Sequence, residues 1–139
     1  MEDVLRRSGW ASDRQVDLAR WKNSLSEFVW HEAAEKFLRE FGGIRVVVEG
    51  PGVNCAREPF EFDPDLAIGE GARFAELSDL FDRKFFPLGE IGQGEFFLGI
   101  DEEGVVYALA RWALRYDVGD QALEQLVTGV APERLNPSA

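Results

Sequence analysis

The chain has 139 residues, of which 45% are hydrophobic, and it contains 11 phenylalanines but only one histidine and one cysteine. This size and composition predict a folded domain with a substantial core and argue against intrinsic disorder. No apolar run approaches the roughly 20 residues that span a bilayer, and the first ten residues lack a signal-peptide apolar segment. A single cysteine excludes internal disulfides. Together with the missing apolar segments, this predicts a cytoplasmic protein with no membrane partner.

The formal net charge of −11 is concentrated in the middle of the chain. Residues 1–57 carry nine acidic and nine basic residues, whereas residues 58–103 carry thirteen acidic and only three basic residues. Such an acidic block repels nucleic acid and membrane surfaces and attracts a basic protein partner. A solvated acidic face that only aids solubility explains the same composition equally well.

The first third of the chain predicts helices. Ser12 and Ser24 are each followed three positions later by Gln or Glu, which is the spacing of a capping box and predicts a helix start at each serine. Gly42-Gly43 then ends the helical pattern. The sequence fits one bent helix or two separate helices equally well. The apolar residues at helical spacing before this end are Trp30, Ala34, Phe37, Leu38 and Phe41.

The middle of the chain alternates between strand and helix patterns. Residues 44–49 are rich in β-branched side chains and predict a strand, and residues 60–62 predict a second, shorter one. Asp63 is placed to cap a helical turn that begins at the following proline. A longer helix is predicted from Arg73 to Phe81, with Phe74, Leu77, Leu80 and Phe81 facing inward.

Residues 85–109 predict three short strands joined by two tight turns. The first turn is Gly92-Gln93-Gly94 and the second is Asp101-Glu102-Glu103-Gly104, where glycine provides the positive φ that tight turns need. The last of these strands, over 105–112, is apolar on both faces and therefore predicts a central strand.

The C-terminal part predicts a helix from Asp120 to Thr128 and a frayed tail over 132–139. Strands joined by tight turns favour antiparallel pairing, and the sheet needs helices to cover a face. We therefore predict an α+β fold in which a largely antiparallel or mixed sheet packs against the N-terminal helices. The predicted domain covers residues 1–131.

The sequence indicates no catalytic, cofactor or metal site. His31 is the only histidine and is predicted to lie in mid-helix, without the partners that a metal cluster or a catalytic triad needs. The glycines at 89, 92 and 94 lack the Lys-Ser/Thr of a phosphate-binding loop. The acidic run over 58–65 lacks calcium-loop spacing. Glu90 and Glu95 flank the first turn, and an enzyme using them would need an apolar pocket around them.

Several short motifs resemble the SUKH superfamily, and most closely its third subfamily. The resemblance covers roughly Leu5 to Gly129 and rests on the order and spacing of the motifs, since no single motif is specific. The motifs are Gly9-Trp10 with Arg14 and Asp17, Phe37-Leu38 with Phe41-Gly42-Gly43, Phe62-Asp63-Pro64, Gly69-Glu70, Arg73-Phe74-Ala75-Glu76, Phe86-Pro87-Leu88-Gly89-Glu90, Gly94, and Asp101-Glu102 with Gly104-Val105-Val106-Tyr107.

This resemblance implies an α+β domain that serves as an immunity protein in bacterial polymorphic or contact-dependent toxin systems. Such proteins bind a cognate toxin, often a nuclease or a nucleic-acid deaminase, whose active-site surface is expected to be basic. An acidic surface built from residues 58–103 would occlude that surface. The candidate toxin-binding residues are Glu58, Glu61, Asp65, Glu70, Glu90, Glu95, Glu102 and Glu103.

Two alternatives fit the same sequence. The first is a protein-interaction adaptor of the same fold whose partner is not a toxin. The second is an enzyme that uses clustered carboxylates.

Overall fold

A seven-stranded sheet forms the centre of the molecule in the computed structural model, which describes residues 1–137. Its strands lie in sequence order, and every neighbouring pair is antiparallel. The predicted α+β class is therefore confirmed, with an entirely antiparallel sheet. The strands are β1 (Arg45–Val46), β2 (Phe60–Glu61), β3 (Phe86–Ile91), β4 (Phe96–Ile100), β5 (Val105–Leu109), β6 (Ala113–Val118) and β7 (Glu133–Leu135).

Within residues 1–137, five α-helices and one 3-10 helix accompany the sheet. They are α1 (Glu2–Arg7), α2 (Ala19–Ser24), α3 (Glu32–Phe41), the 3-10 helix (Pro64–Ala67), α4 (Gly71–Phe81) and α5 (Gly119–Thr128). The predicted cap at Asp63 is confirmed, because its Oδ1 accepts a hydrogen bond of 3.1 Å from the backbone N–H of Asp65. The predicted end of α5 is confirmed as well, since Gly129 closes it with a φ of 76°.

The two predicted serine caps are wrong. Residues 13–18 form no helix, because the N–H of Val16 donates to the carbonyl of Arg39 in α3 (2.8 Å) instead of to its own segment. The hydroxyl of Ser24 donates to Asp65 (2.6 Å), and α2 ends at that serine. His31 does not lie in mid-helix: it is the N-cap of α3, where Nδ1 accepts from the N–H of Ala34 (3.2 Å). Tertiary partners therefore decide these boundaries.

Three other predictions need correction. The strand predicted over 44–49 contains only Arg45–Val46, because its partner β2 is also two residues long. Leu80 faces solvent, with 44% of its surface exposed. Part of the tail predicted to fray forms β7, which pairs with β6, a strand that the sequence analysis missed. The last two residues of that tail, 138–139, lie outside the described part of the chain.

The core lies on both faces of the central strands. All five residues of β5 are buried, which confirms a central strand, but the strand predicted over 105–112 ends at Leu109 because the chain bends there and the N–H of Ala110 donates to the carbonyl of Trp112 (3.0 Å). Phe97 on β4 packs against Phe74 of α4, with ring centroids 5.6 Å apart. The neighbouring Phe96 points to the opposite face, where it lines a cavity with Leu126 of α5. Both side chains are half-buried, so each contributes less than the about 1.5–3 kcal/mol of a fully buried side chain.

Candidate functional site

The eight carboxylates proposed from the sequence do not share one surface. Four lie around the turn that precedes β4, and two lie in the turn that follows it. Because β4 has five residues, these two turns are separated by about 17 Å. The remaining two are Asp65, within the 3-10 helix, and Glu70, the N-cap of α4, and both are paired with basic side chains.

The first group, which we call the turn cluster, consists of Glu58, Glu61, Glu90 and Glu95. Glu61 on β2 lies directly opposite Glu90 on β3. The other two approach Gly92, where the position of an added Cβ lies 3.2 Å from Oε2 of Glu95 and 3.3 Å from Oε2 of Glu58. Within residues 1–137, none of the four carboxylates forms a salt bridge or a side-chain hydrogen bond. The turn cluster is thus acidic and free of salt bridges, but it is not wholly uncompensated, because Arg45 on β1 lies directly opposite Glu61 and borders the same depression as Glu61 and Glu90. Glu58 borders a different cavity, the one lined by Phe96.

A close backbone approach places the turn cluster. A Cβ on Gly89 would lie 1.8 Å from the carbonyl oxygen of Glu61, so only glycine lets β2 and β3 meet there. The pairing of β3 with β4 also shifts by one residue between Pro87 and Gly89, which is the signature of a β-bulge. Together these features align Glu61 with Glu90. Like charges directly opposite each other oppose sheet stability, and the Arg45 side of β1, directly opposite Glu61, offsets part of that repulsion.

Asp65 and Glu70 are partly neutralised by neighbours. Asp65 accepts a hydrogen bond from the hydroxyl of Ser24 and lies 3.8 Å from the guanidinium of Arg20. Glu70 pairs with Arg73 at 3.2 Å, one helical turn away. These pairs are largely solvent-exposed and contribute little to folding, but they reduce the charge that a partner would meet.

The turn after β4 contains a carboxylate that counts toward the net charge but is buried, so a partner cannot reach it. Asp101 is fully buried, and its Oδ1 accepts from the N–H groups of Glu103 (2.9 Å) and Val105 (3.0 Å). Its Oδ2 accepts from the hydroxyl of Tyr107 (2.8 Å) and lies 3.6 Å from the guanidinium of Arg83. Burial, together with the bond to Asp101, raises the pKa of Tyr107 well above its usual value. Asp101 is therefore a structural residue that shapes the turn.

The next two residues of the same turn remain at the surface. Glu102 accepts a hydrogen bond of 2.8 Å from the N–H of Lys84, and Glu103 is exposed. Both face a groove of about 530 Å³ that lies between α3, the β4–β5 turn and the start of α5. We call this space the α3 groove. Its lining residues are Glu32, Ala33, Lys36, Phe37, Glu40, Phe41, Ile100, Glu102, Glu103, Gly104, Val118, Gly119 and Asp120.

The sequence analysis missed three acidic residues of the α3 groove, namely Glu32, Glu40 and Asp120. They belong to parts of the chain with almost no net charge, so a search for charged blocks passes over them. The sequence did contain a sign of a charged helix face, because Glu32, Lys36 and Glu40 recur at intervals of four and therefore share one face of α3. Only the fold reveals that this face meets the β4–β5 turn.

Glu90 does not lie in the apolar pocket that an enzyme using it would need. Glu90 and Glu61 border a depression of only about 80 Å³, well below the roughly 300 Å³ at which ligand pockets begin. Residues 1–137 hold no group of three or more His, Cys, Asp or Glu side chains that could bind a metal. His31 uses both ring nitrogens structurally, since Nε2 lies 3.0 Å from the carbonyl of Lys84 while Nδ1 caps α3.

No helix in the described part of the chain combines the length and the apolar character needed to cross a membrane.

Comparison with known proteins identifies a family. Residues 1–129 match the family model described as SUKH-3 immunity protein. No curated protein and no solved structure matches the chain. The family assignment therefore rests on the match over residues 1–129, which includes the turn cluster, the α3 groove and Asp101.

Proposed function

We propose that this chain, which belongs to the SUKH-3 immunity protein family, neutralises a basic bacterial toxin by covering its active-site surface. Membership of the family supports binding to a protein toxin, and it is the observation that carries the proposal. The charge distribution supports the finer statement about the surface that the toxin presents. The eight carboxylates named from the sequence remain the proposed contacts, with the turn cluster making the largest contribution.

The toxin class follows from electrostatics. A nuclease or nucleic-acid deaminase must hold a polyanion, so its active-site surface carries lysine and arginine side chains. Within residues 1–137, the turn cluster offers four carboxylates that form no salt bridge, with Arg45 as their basic neighbour, on a chain whose net charge is −11. A protein of this charge competes with nucleic acid for a basic cleft and does not itself bind nucleic acid. We therefore propose a toxin that acts on nucleic acid.

The proposed mechanism is occlusion by binding, and it needs no chemistry from this chain. Complementary charge accelerates the encounter, and the bound immunity protein then excludes the substrate from the cleft. Asp65 and Glu70 are expected to contribute less, because Arg20 and Arg73 already pair with them. We propose that the chain acts without catalytic residues, cofactor or metal, in the cytoplasm of the cell that makes the toxin.

Growth rescue tests this function. The tagged chain would be used to capture its partner from the producing strain, and the captured protein would then be expressed in a sensitive host with and without this chain. We expect the partner to arrest growth alone and co-expression to restore it. A captured partner that has no effect on growth would support the adaptor alternative and overturn the proposed function.

The toxin class has its own readout. A nuclease or deaminase would degrade or modify nucleic acid in a purified assay, and stoichiometric addition of this chain should stop the reaction. A rescued toxin that instead damages membranes would leave the immunity function standing and contradict the proposed toxin class.

A further inference from the structure

We propose that the α3 groove is a docking site for a segment of the partner protein that carries one bulky apolar side chain flanked by lysine or arginine. The inference rests on the proposed function in taking that partner to be the toxin. It goes beyond that function by adding a second contact region, at the other end of β4 from the turn cluster. The groove has an apolar floor and an acidic rim, and the proposed segment matches both.

The floor of the α3 groove is apolar and only partly covered. Val118 exposes 38% of its surface, and Ala33 on α3 is half-buried. Behind them lie Phe37, Phe41 and Ile100, which belong to the core and fix the shape of the floor. The volume of about 530 Å³ falls within the range of roughly 300–1,000 Å³ typical of ligand sites. A bulky side chain placed there would remove apolar surface from water without rearranging the core.

The rim of the α3 groove is strongly acidic. Glu32, Glu40, Glu102, Glu103 and Asp120 contribute five carboxylates, against the single ammonium group of Lys36. Among the described residues, Glu32, Glu103 and Asp120 have neither a salt bridge nor a side-chain hydrogen bond. A peptide with cations on either side of an apolar anchor would satisfy the floor and the rim together.

Charge also argues against other occupants. A second copy of this chain would bring another net charge of −11 to an acidic rim, and nucleic acid would bring phosphates. A neutral apolar segment would fill the floor but leave the rim carboxylates desolvated without partners. A basic segment with an apolar anchor is therefore the occupant that the groove fits.

A peptide titration tests the groove without needing the toxin. The probe is an acetylated, amidated peptide with one tryptophan between two pairs of lysines, and its control has alanine in place of tryptophan. We expect amide chemical-shift changes confined to residues 32–41, 100–104 and 118–120, with affinity for the control at least about tenfold weaker. Shifts spread equally over all acidic surfaces, or equal binding of both peptides, would overturn the inference.

A matched pair of variants then tests the groove against the captured toxin. Ala33→Leu fills the floor, while Ala75→Leu makes the same change on the exposed surface of α4. We expect Ala33→Leu to weaken toxin binding at least about tenfold and Ala75→Leu to leave it within about twofold. Circular dichroism and urea unfolding of both variants would exclude a loss of fold as the cause.

The outcomes separate the two proposals. Full toxin binding by Ala33→Leu would overturn docking in the groove and leave the immunity function intact. If the unmodified chain binds no toxin, the proposed function fails, and the peptide titration still decides the chemistry of the groove. Dimers of the unmodified chain that become monomers in Ala33→Leu would assign the groove to self-association and overturn the inference.

Discussion

The two turns that bound β4 look alike in sequence and differ in what their carboxylates do. At the first turn, Glu90 and Glu95 lie near Glu58 and Glu61, and within residues 1–137 none of the four forms a salt bridge, although Arg45 lies opposite Glu61 on β1. At the second turn, Asp101 is fully buried and saturated with hydrogen bonds. One turn concentrates charge at the surface, and the other uses charge to fix the backbone.

The difference shows that net charge does not measure the charge available to a partner. Asp101 counts toward the acidic block of residues 58–103 but is hidden from solvent, whereas Glu32 and Asp120 lie outside that block and face the α3 groove. The surface that a basic toxin would meet is therefore set by the fold. Stability measurements can test this division of roles directly.

The largest effect is expected from Asp101→Ala. This change leaves two backbone N–H groups and the hydroxyl of Tyr107 without their acceptor and leaves Arg83 without its nearest carboxylate. We expect the free energy of unfolding to fall by about 3–5 kcal/mol in urea titrations. Glu103→Ala, in the same turn but exposed, should stay within about 0.5 kcal/mol. Equal losses of stability from Asp101→Ala and Glu103→Ala would contradict a structural role specific to the buried carboxylate.

A second effect is expected at alkaline pH. Burial raises the pKa of Tyr107 and of Tyr116. The hydrogen bond to Asp101 raises the pKa of Tyr107 further, and the nearby Cys55 and Glu58 raise that of Tyr116 further. Above pH 10 the unfolded chain releases these protons while the folded chain keeps them, so stability must fall as pH rises. The slope should approach about 1.4 kcal/mol per pH unit for each tyrosine. Urea titrations from pH 9 to 11.5 measure the slope of the unfolding free energy against pH. If Tyr107→Phe and Tyr116→Phe leave this slope unchanged, the two tyrosines do not cause it.

A smaller loss is expected from Tyr107→Phe. The change removes one hydrogen bond to a buried carboxylate and keeps the ring, which packs edge-on against Phe85 with centroids 4.9 Å apart. We expect a cost of about 1–2 kcal/mol, well below that of Asp101→Ala, because the other bonds to Asp101 persist. Thermal unfolding compared with the parent chain checks this order. A cost equal to that of Asp101→Ala would mean that the tyrosine bond dominates the network.

The smallest effect, with opposite sign, is expected at the turn cluster. Glu61→Gln with Glu90→Gln removes two like charges that face each other across β2 and β3, and it also removes the smaller attraction between Glu61 and Arg45 on β1. We expect a gain of up to about 1 kcal/mol in low salt, which should shrink as added salt screens the repulsion. Glu76→Gln with Asp79→Asn, on the exposed surface of α4, provides the control. Destabilisation by the first pair would show that the turn cluster has a structural role.

Sequence patterns predicted the elements whose boundaries depend on local chemistry. Asp63 before Pro64 and Gly129 after α5 act as caps within their own segments, and the alternation in 85–109 sets the central strands. The serine caps were wrong because residues far along the chain compete for the same hydrogen bonds. The N–H of Val16 donates to the carbonyl of Arg39, and the hydroxyl of Ser24 donates to Asp65. Strand β7 was missed because its pairing with β6 is visible only in three dimensions.

The candidate site shows the same limit. Composition located the acidic block, and the strand register gathers four of its residues into the turn cluster. The α3 groove could not be predicted from the sequence, because it joins residues from 32–41, 100–104 and 118–120 that no local pattern connects. Whether the eight proposed carboxylates contact a toxin stays a prediction.

Association kinetics with the captured toxin test the central claim most directly. Stopped-flow rates at about 50 and 500 mM salt would be compared for the parent chain, a turn-cluster variant and a control. The variant combines Glu58→Gln, Glu61→Gln, Glu90→Gln and Glu95→Gln, and the control removes the same number of exposed charges elsewhere, by Glu2→Gln, Asp3→Asn, Glu76→Gln and Asp79→Asn. We predict that the turn-cluster variant associates at least about tenfold more slowly in low salt and loses most of its salt dependence, while the control stays within about twofold. Equal rates and equal salt dependence for all three proteins would contradict the claim that the turn cluster guides toxin binding.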